Sequence, residues 1–150
     1  MLEAATMTVH ILANHISSSS LIAPGAPIVY PNDLDIASDG TIYFTASVDI
    51  YPARNAQFHS RISSVPSLYN TGGFYDTVKV WGLGMCHGHP TGFVGKYDPK
   101  TREAVVISDG WWYPNGIALS KDEDYLAVCE TDRVRIMKIW LKGPKASGAG

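Results

Sequence analysis

The stretch that decides the fold is Tyr30-Pro31-Asn32-Asp33-Leu34-Asp35-Ile36-Ala37-Ser38-Asp39, which returns 83 residues later as Tyr113-Pro114-Asn115-Gly116-Ile117-Ala118-Leu119-Ser120-Lys121-Asp122. Each copy leads through a polar turn into a second apolar run, Ile42 to Ala46 or Tyr125 to Cys129. In Thr41 to Ala46 the alternation sets Ile42, Phe44 and Ala46 on one face and Tyr43 and Thr45 on the other, the period of a strand. With Ser38-Asp39-Gly40 between the runs, the first copy reads as a tight hairpin. Repeated short antiparallel sheets are the signature of propeller blades, typically about 40–50 residues each.

Outward from the repeat, the same rhythm predicts strands at Thr8–Leu12, Gly92–Tyr97, Ala104–Ile107 and Val134–Leu141. Turns are expected at Asp98-Pro99-Lys100-Thr101, Ser108-Asp109-Gly110 and Lys121-Asp122-Glu123-Asp124. Between Tyr51 and Pro90 the rhythm breaks, and the segment reads as a long insertion that covers a site. Within it Phe74, Val78, Trp81 and Met85 recur at helical spacing, against which Gly82 and Gly84 count. The expected organisation is residues 1–29 as the end of a preceding blade with its connecting loop, 30–112 as one blade with the insertion at about 51–90, and 113–150 as part of the next blade with a linker-like tail.

Composition sets the outer bounds. The chain of 150 residues is 45% hydrophobic and 17% charged, the balance of a folded domain. Its net charge of -2 gives no basic face of the kind nucleic-acid binding needs. No apolar run reaches the length of a membrane span, and the N-terminal residues have neither the basic nor the apolar region of a secretory signal. Two cysteines, Cys86 and Cys129, cannot build a disulfide framework. Cys129, in an apolar strand, reads as a buried hydrophobe.

Asn32 and Asn115 occupy equivalent places at the start of the two inner strands, so both can converge on one ligand at the channel mouth. Amide oxygens are hard, neutral donors that suit Ca²⁺, which takes 6–8 oxygens. The competing reading is that Pro-Asn makes a turn, since asparagine tolerates left-handed backbone. Cys86-His87-Gly88-His89 lacks the second cluster that a zinc site needs. Glu130 at a strand end reads as a base or ligand, or as the structural partner of Arg133 or Arg135, which share a solvent-facing strand face. Trp111-Trp112-Tyr113 reads as core or as an aromatic wall. No Gly-x-Ser-x-Gly elbow and no phosphate-binding glycine loop occur.

Six motifs taken in order resemble the strictosidine synthase-like family: Tyr30 to Ile36, Gly40 to Thr45, Lys96-Tyr97-Asp98-Pro99-Lys100-Thr101, Tyr113 to Ser120, Glu130-Thr131, and Ile139-Trp140-Leu141-Lys142-Gly143-Pro144-Lys145. Each alone is weak; their order is specific and spans roughly Val9 to Gly148. The family includes adipocyte plasma membrane-associated protein, with paraoxonases and gluconolactonases as distant kin. The resemblance implies an all-β fold, a partial six-bladed β-propeller of about two four-stranded antiparallel blades with one long insertion. It implies a calcium at the channel mouth held in part by Asn32 and Asn115, and an arylesterase- or lactonase-like hydrolase acting on a small-molecule ester or lactone. Asp33 matches a position that serves a second, structural calcium in paraoxonases.

Two departures bear on that expectation. Ala46 stands where the family usually has an aspartate, and Gly92-Phe93-Val94 replaces a glycine-arginine-leucine. Ala46 favours a second reading, a non-catalytic propeller that binds small molecules or partners, while Asn32 and Asn115 favour the first. A third reading is a Pictet–Spengler condensing enzyme of the strictosidine synthase type, whose acid/base glutamate lies in a later blade. The retained Asn115 points away from that third reading. Relatives often enter the endomembrane or secretory pathway. The expectation is a piece of a larger ring, inactive alone, whose open sheet edges need missing blades or a partner to cover them.

Overall fold

The structure, a computed structural model, describes residues 2–3, 8–48, 77–86 and 88–147. A two-residue pairing, β1 (Leu2–Glu3) with β2 (Thr8–Val9), precedes two antiparallel sheets. The first is a four-stranded meander of β3 (Pro31–Ile36), β4 (Ile42–Ala46), β5 (Gly92–Asp98) and β6 (Glu103–Trp111). The second is a three-stranded meander of β7 (Pro114–Leu119), β8 (Tyr125–Glu130) and β9 (Arg135–Trp140). Among the described residues one α-helix, α1 (Thr77–Cys86), lies between β4 and β5 in sequence. This is the architecture of a partial β-propeller, with the second sheet one strand short of the expected four. Among the described residues no helix is long and apolar enough to cross a membrane.

Alternation in β4 and β5 divides the core. Phe44, Ala46, Phe93 and Tyr97 face an apolar cluster closed by Ile16 and by Ala13, Ile22, Ala23 and Ile28 of the long loop before β3. Phe44 and Phe93 meet edge to face, with ring centroids 6.0 Å apart. That loop also serves the outer strand: Ser17 N–H donates to the Ala104 carbonyl at 2.7 Å, and Ser20 Oγ accepts from Val106 N–H at 3.2 Å. The opposite face carries Tyr43, Val94 and Trp111, which pack on Ile117, Leu126 and Val128 of the second sheet. The two sheets therefore share a dry core, face against face.

Several sequence expectations change in detail. Ser108-Asp109-Gly110 is no turn but lies inside β6, where the register against β5 shifts and Gly110 takes a positive φ of 79°. Thr8–Leu12 is a strand only over Thr8–Val9. Cys129 is exposed, because it sits on the face of the second sheet turned away from the first. Arg133 lies in a 3-10 turn (Thr131–Arg133), so it shares no strand face with Arg135. The helix forms where the spacing placed it, over Thr77–Cys86, with Val78, Trp81 and Met85 exposed. Phe74, His87 and most of the insertion lie outside the described residues.

Candidate functional site

Both inner strands begin with the same irregularity. The register of β3 against β4 shifts between Pro31 and Leu34, and that of β7 against β8 shifts between Pro114 and Ile117. The repeated Pro-Asn is thus the start of a bulged strand in each sheet, not a turn, and neither asparagine has a positive φ. A bulge re-aims the side chains it carries. Here it does so at the same end of both sheets, where β4 and β8 finish and β5 and β9 begin.

Two fully buried hydroxyls join Asn32 to the strand that carries Asn115. Ser47 Oγ donates to the Pro114 carbonyl at 2.6 Å. Its single hydrogen being used there, it accepts from Asn32 Nδ2 at 2.7 Å. The Asn32 amide is therefore held by its nitrogen, and its oxygen is turned away from Ser47. Thr45 Oγ1 donates to the Asn115 carbonyl at 2.7 Å and accepts from Asp33 N–H at 3.2 Å. Asn115 is half-buried, and its side chain makes no hydrogen bond to another described residue.

The Asp33 carboxylate is occupied by backbone. One oxygen accepts from Leu34 N–H at 2.9 Å and the other from Ile117 N–H at 3.0 Å. Asp35 repeats the pattern one step along, with Ile36 N–H at 2.8 Å and Leu119 N–H at 2.8 Å. At the other end of the junction the Glu123 carboxylate accepts from Ser38 N–H at 2.6 Å and from Ser38 Oγ at 3.0 Å.

Tyr30 and Tyr113, each just before a Pro-Asn pair, form one buried cluster with Val48. Burial, with the neighbouring Tyr30 hydroxyl second, pushes the Tyr113 phenol up to about 12. Tyr113 takes φ 52°, a left-handed backbone rare for a bulky residue. Glu130 is 2% exposed and accepts from Trp112 N–H at 2.8 Å and from Arg135 Nε at 2.5 Å. It is a structural ion pair, and Arg135, its register partner across β8 and β9, is the arginine that makes it. Trp111 is core, while Trp112 lies under the Arg133 guanidinium, 4.6 Å from its ring centre. Helix α1 reaches this end through Trp81 Nε1, which donates to Asp132 Oδ1 at 2.9 Å.

Sequence reading named the asparagines but missed Ser47 and the bridging role of Thr45. The available signal was two hydroxyl residues at alternate positions, 45 and 47, on a face whose preceding member, Tyr43, packs into the core. Among the described residues no three His, Cys, Asp or Glu side chains gather to hold a metal. Ala46, where a carboxylate was expected from the resemblance, is fully buried in the apolar cluster with Ile16 and Phe93.

A family model described as Strictosidine synthase matches residues 70–144, half of the chain. The chain is 33% identical over 134 residues to Protein STRICTOSIDINE SYNTHASE-LIKE 13 of Arabidopsis thaliana, covering 89% of this chain and 25% of that protein. It is 32% identical over 124 residues to Protein STRICTOSIDINE SYNTHASE-LIKE 3 of the same plant, covering 83% and 25%. It is 29% identical over 133 residues to the Adipocyte plasma membrane-associated protein of Homo sapiens, covering 88% and 26%. The chain spans about a quarter of the length of these relatives.

Proposed function

Because this chain belongs to the strictosidine synthase family, we propose that it supplies two neutral oxygen ligands, Asn32 and Asn115, to a calcium ion in a propeller that hydrolyses an ester or lactone. The observation that carries this reading is the orientation of Asn32. Ser47 takes the amide nitrogen, so the amide presents its oxygen, the atom a hard cation binds. Thr45 and Ser47 then bond to the backbone carbonyls of Asn115 and Pro114, so the strand starts that carry the two asparagines are joined to each other. The donor set fits calcium in kind, being oxygen only, and supplies two of the 6–8 ligands it takes. A calcium bound there supplies Lewis-acid polarisation of a substrate carbonyl. Asp33 already accepts a backbone N–H on each carboxylate oxygen, so its first role is in joining the two strands.

Calorimetric titration of the protein with calcium, together with turnover of phenyl acetate and a simple lactone, tests the reading. Binding that is lost in the Asn32→Ala, Asn115→Ala double variant supports it. Measured on a complete ring, absence of calcium binding overturns the metal assignment, and calcium binding without turnover overturns the hydrolase; the 150-residue piece alone is expected to be inactive. The non-catalytic alternative has one observation of its own, the buried Ala46 in place of a carboxylate. It expects a small-molecule ligand without turnover.

A further inference from the structure

We propose that Arg133, stacked on Trp112 in the turn between β8 and β9, binds the carboxylate of an anionic aryl ligand. On the hydrolase reading above, on which this last step rests, that carboxylate is the acid group of the ester or lactone substrate. The first support is the state of the arginine. Its Cζ lies 4.6 Å from the centre of the Trp112 ring. A stacked guanidinium gives its face to the indole and keeps its N–H donors in its own plane, free at the edge. Among the described residues Arg133 has no ion pair: Glu130 is taken by Arg135, and Asp132 gives Oδ1 to the Trp81 indole. Arg133 is exposed, so a ligand can reach the fork.

The turn belongs to the end of the second sheet that carries Asn115. Thr131 N–H donates to the Tyr113 carbonyl at 3.1 Å and Asp132 N–H to the Trp112 carbonyl at 3.4 Å. Asn115 follows Trp112 by three residues, so their Cα atoms lie within about 11 Å of each other. An aryl ring with an ester on one side and a carboxylate on the other is of that size. Two indoles meet at this turn, Trp112 under Arg133 and the 40% exposed Trp81 on Asp132, and they favour an aryl ligand over an aliphatic one.

Backbone strain is concentrated at the same corner. Tyr113 has φ 52°, and Val134 has φ 50° and ψ 46°, left-handed conformations that a bulky and a β-branched residue avoid. Val134 is 93% exposed, so burial of its side chain does not offset the conformation. Its effect is on the arginines at either side. The left-handed residue ends the turn and starts β9, which leaves Arg133 over Trp112 and sets Arg135 in the strand against Glu130. Strain of this kind gathers where a side chain has to be placed for a ligand.

Calorimetry on a complete ring stripped of calcium tests the site with cinnamate and its neutral counterpart cinnamamide. Cinnamate is expected to bind about tenfold or more tighter, by a margin that shrinks at high salt as the exposed charge is screened. Arg133→Gln, at an exposed position where folding is not at stake, is expected to abolish the margin. Arg133→Lys, a point charge without the fork, is expected to keep part of it. With calcium present, para-acetoxybenzoate is expected to show a lower KM than its methyl ester, a difference lost in Arg133→Gln. Equal binding of cinnamate and cinnamamide, or a preference that survives Arg133→Gln, overturns the proposal. A preference that depends on Arg133 without turnover of either ester supports the carboxylate site and overturns the hydrolase reading instead.

Discussion

The Asp33 carboxylate accepts a hydrogen bond from the Ile117 amide at 3.0 Å, joining the first strand of one sheet to the first strand of the next. Among the described residues neither strand has a backbone partner on that side, and a side chain stands in for a neighbour's carbonyl. Asp35 does the same for Leu119 at 2.8 Å. The expected consequence is that Asp33→Ala and Asp35→Ala each cost about 1–2 kcal/mol, the lower part of the range for a polar group left unpaired, since this junction is only part-buried. Asp33→Asn keeps an acceptor oxygen and costs less. Urea unfolding followed by tryptophan fluorescence measures all three; equal losses for the alanine and asparagine variants would refute this role for the carboxylate.

The Glu130–Arg135 pair gives an asymmetric prediction. Glu130 is buried and Arg135 half-exposed. Arg135→Ala therefore leaves a charge stranded in the core and costs about 3–5 kcal/mol, whereas Glu130→Gln keeps an acceptor for Trp112 N–H and leaves an arginine that can reach water, costing about 1–2 kcal/mol. Denaturant midpoints decide the order. A larger loss in the glutamine variant contradicts the assignment of Glu130 as the buried member.

Tyr113 sets an alkaline limit. Burial, then the Tyr30 hydroxyl, raises its phenol to about 12 from the ordinary 10.0. The folded state holds this proton more tightly than the unfolded chain. The stabilisation is therefore complete below about pH 10 and is lost as pH rises toward 12. Ultraviolet titration of the folded protein is expected to show Tyr113 as a late tyrosinate, with half-buried Tyr43 also raised, and Tyr30→Phe to bring Tyr113 earlier without returning it to 10.0, because burial remains the larger cause. A Tyr113 that ionises with the exposed tyrosines rules this out.

The repeat and the alternation at Ile42 to Ala46 were sufficient to read the propeller strands, because a period of two in a half-buried strand is written directly in residue type. The Pro-Asn pair left turn and ligand open. That the backbone there is a bulged strand depends on a register shift against a neighbouring strand, which no local signal carries. Cys129 was misread because its strand is apolar on both faces, while the second sheet packs only one of them against the first. Ser108-Asp109-Gly110 has turn composition, yet continued pairing with β5 holds it in the strand as a bulge. Glu130 could be matched to an arginine in sequence; only the β8–β9 register selects Arg135 over Arg133.

At Gly92 the first sheet lies hard against Pro114 of the second. A Cβ there would overlap the Pro114 ring and lie 2.9 Å from the Ala46 carbonyl oxygen, which is backbone and cannot move aside. Gly92→Ala is expected to cost about 1–3 kcal/mol, the range for overpacking a filled core. Gly82→Ala in α1, where nothing lies within 4 Å of the new atom, is expected to be neutral or stabilising. Thermal melts compare the pair, and similar effects of both would mean that the 92–114 approach is looser than described.

Ser47→Ala separates positioning from stability at the proposed metal site. It releases Asn32 Nδ2 and leaves the Pro114 carbonyl without its donor, so a loss of about 1–3 kcal/mol in stability is expected from the unpaired carbonyl alone. The added expectation is a loss of calcium affinity of about tenfold, as found for removal of groups that orient ligands. Ser47→Thr keeps the hydroxyl and should restore both. Side-chain amide signals of Asn32 in nuclear magnetic resonance provide a metal-free readout: sharp and slowly exchanging in the wild type, averaged in the alanine variant. If the amide of Asn32 is equally ordered in both, Ser47 does not orient it, and the case for Asn32 as a preset ligand fails even if calcium binds.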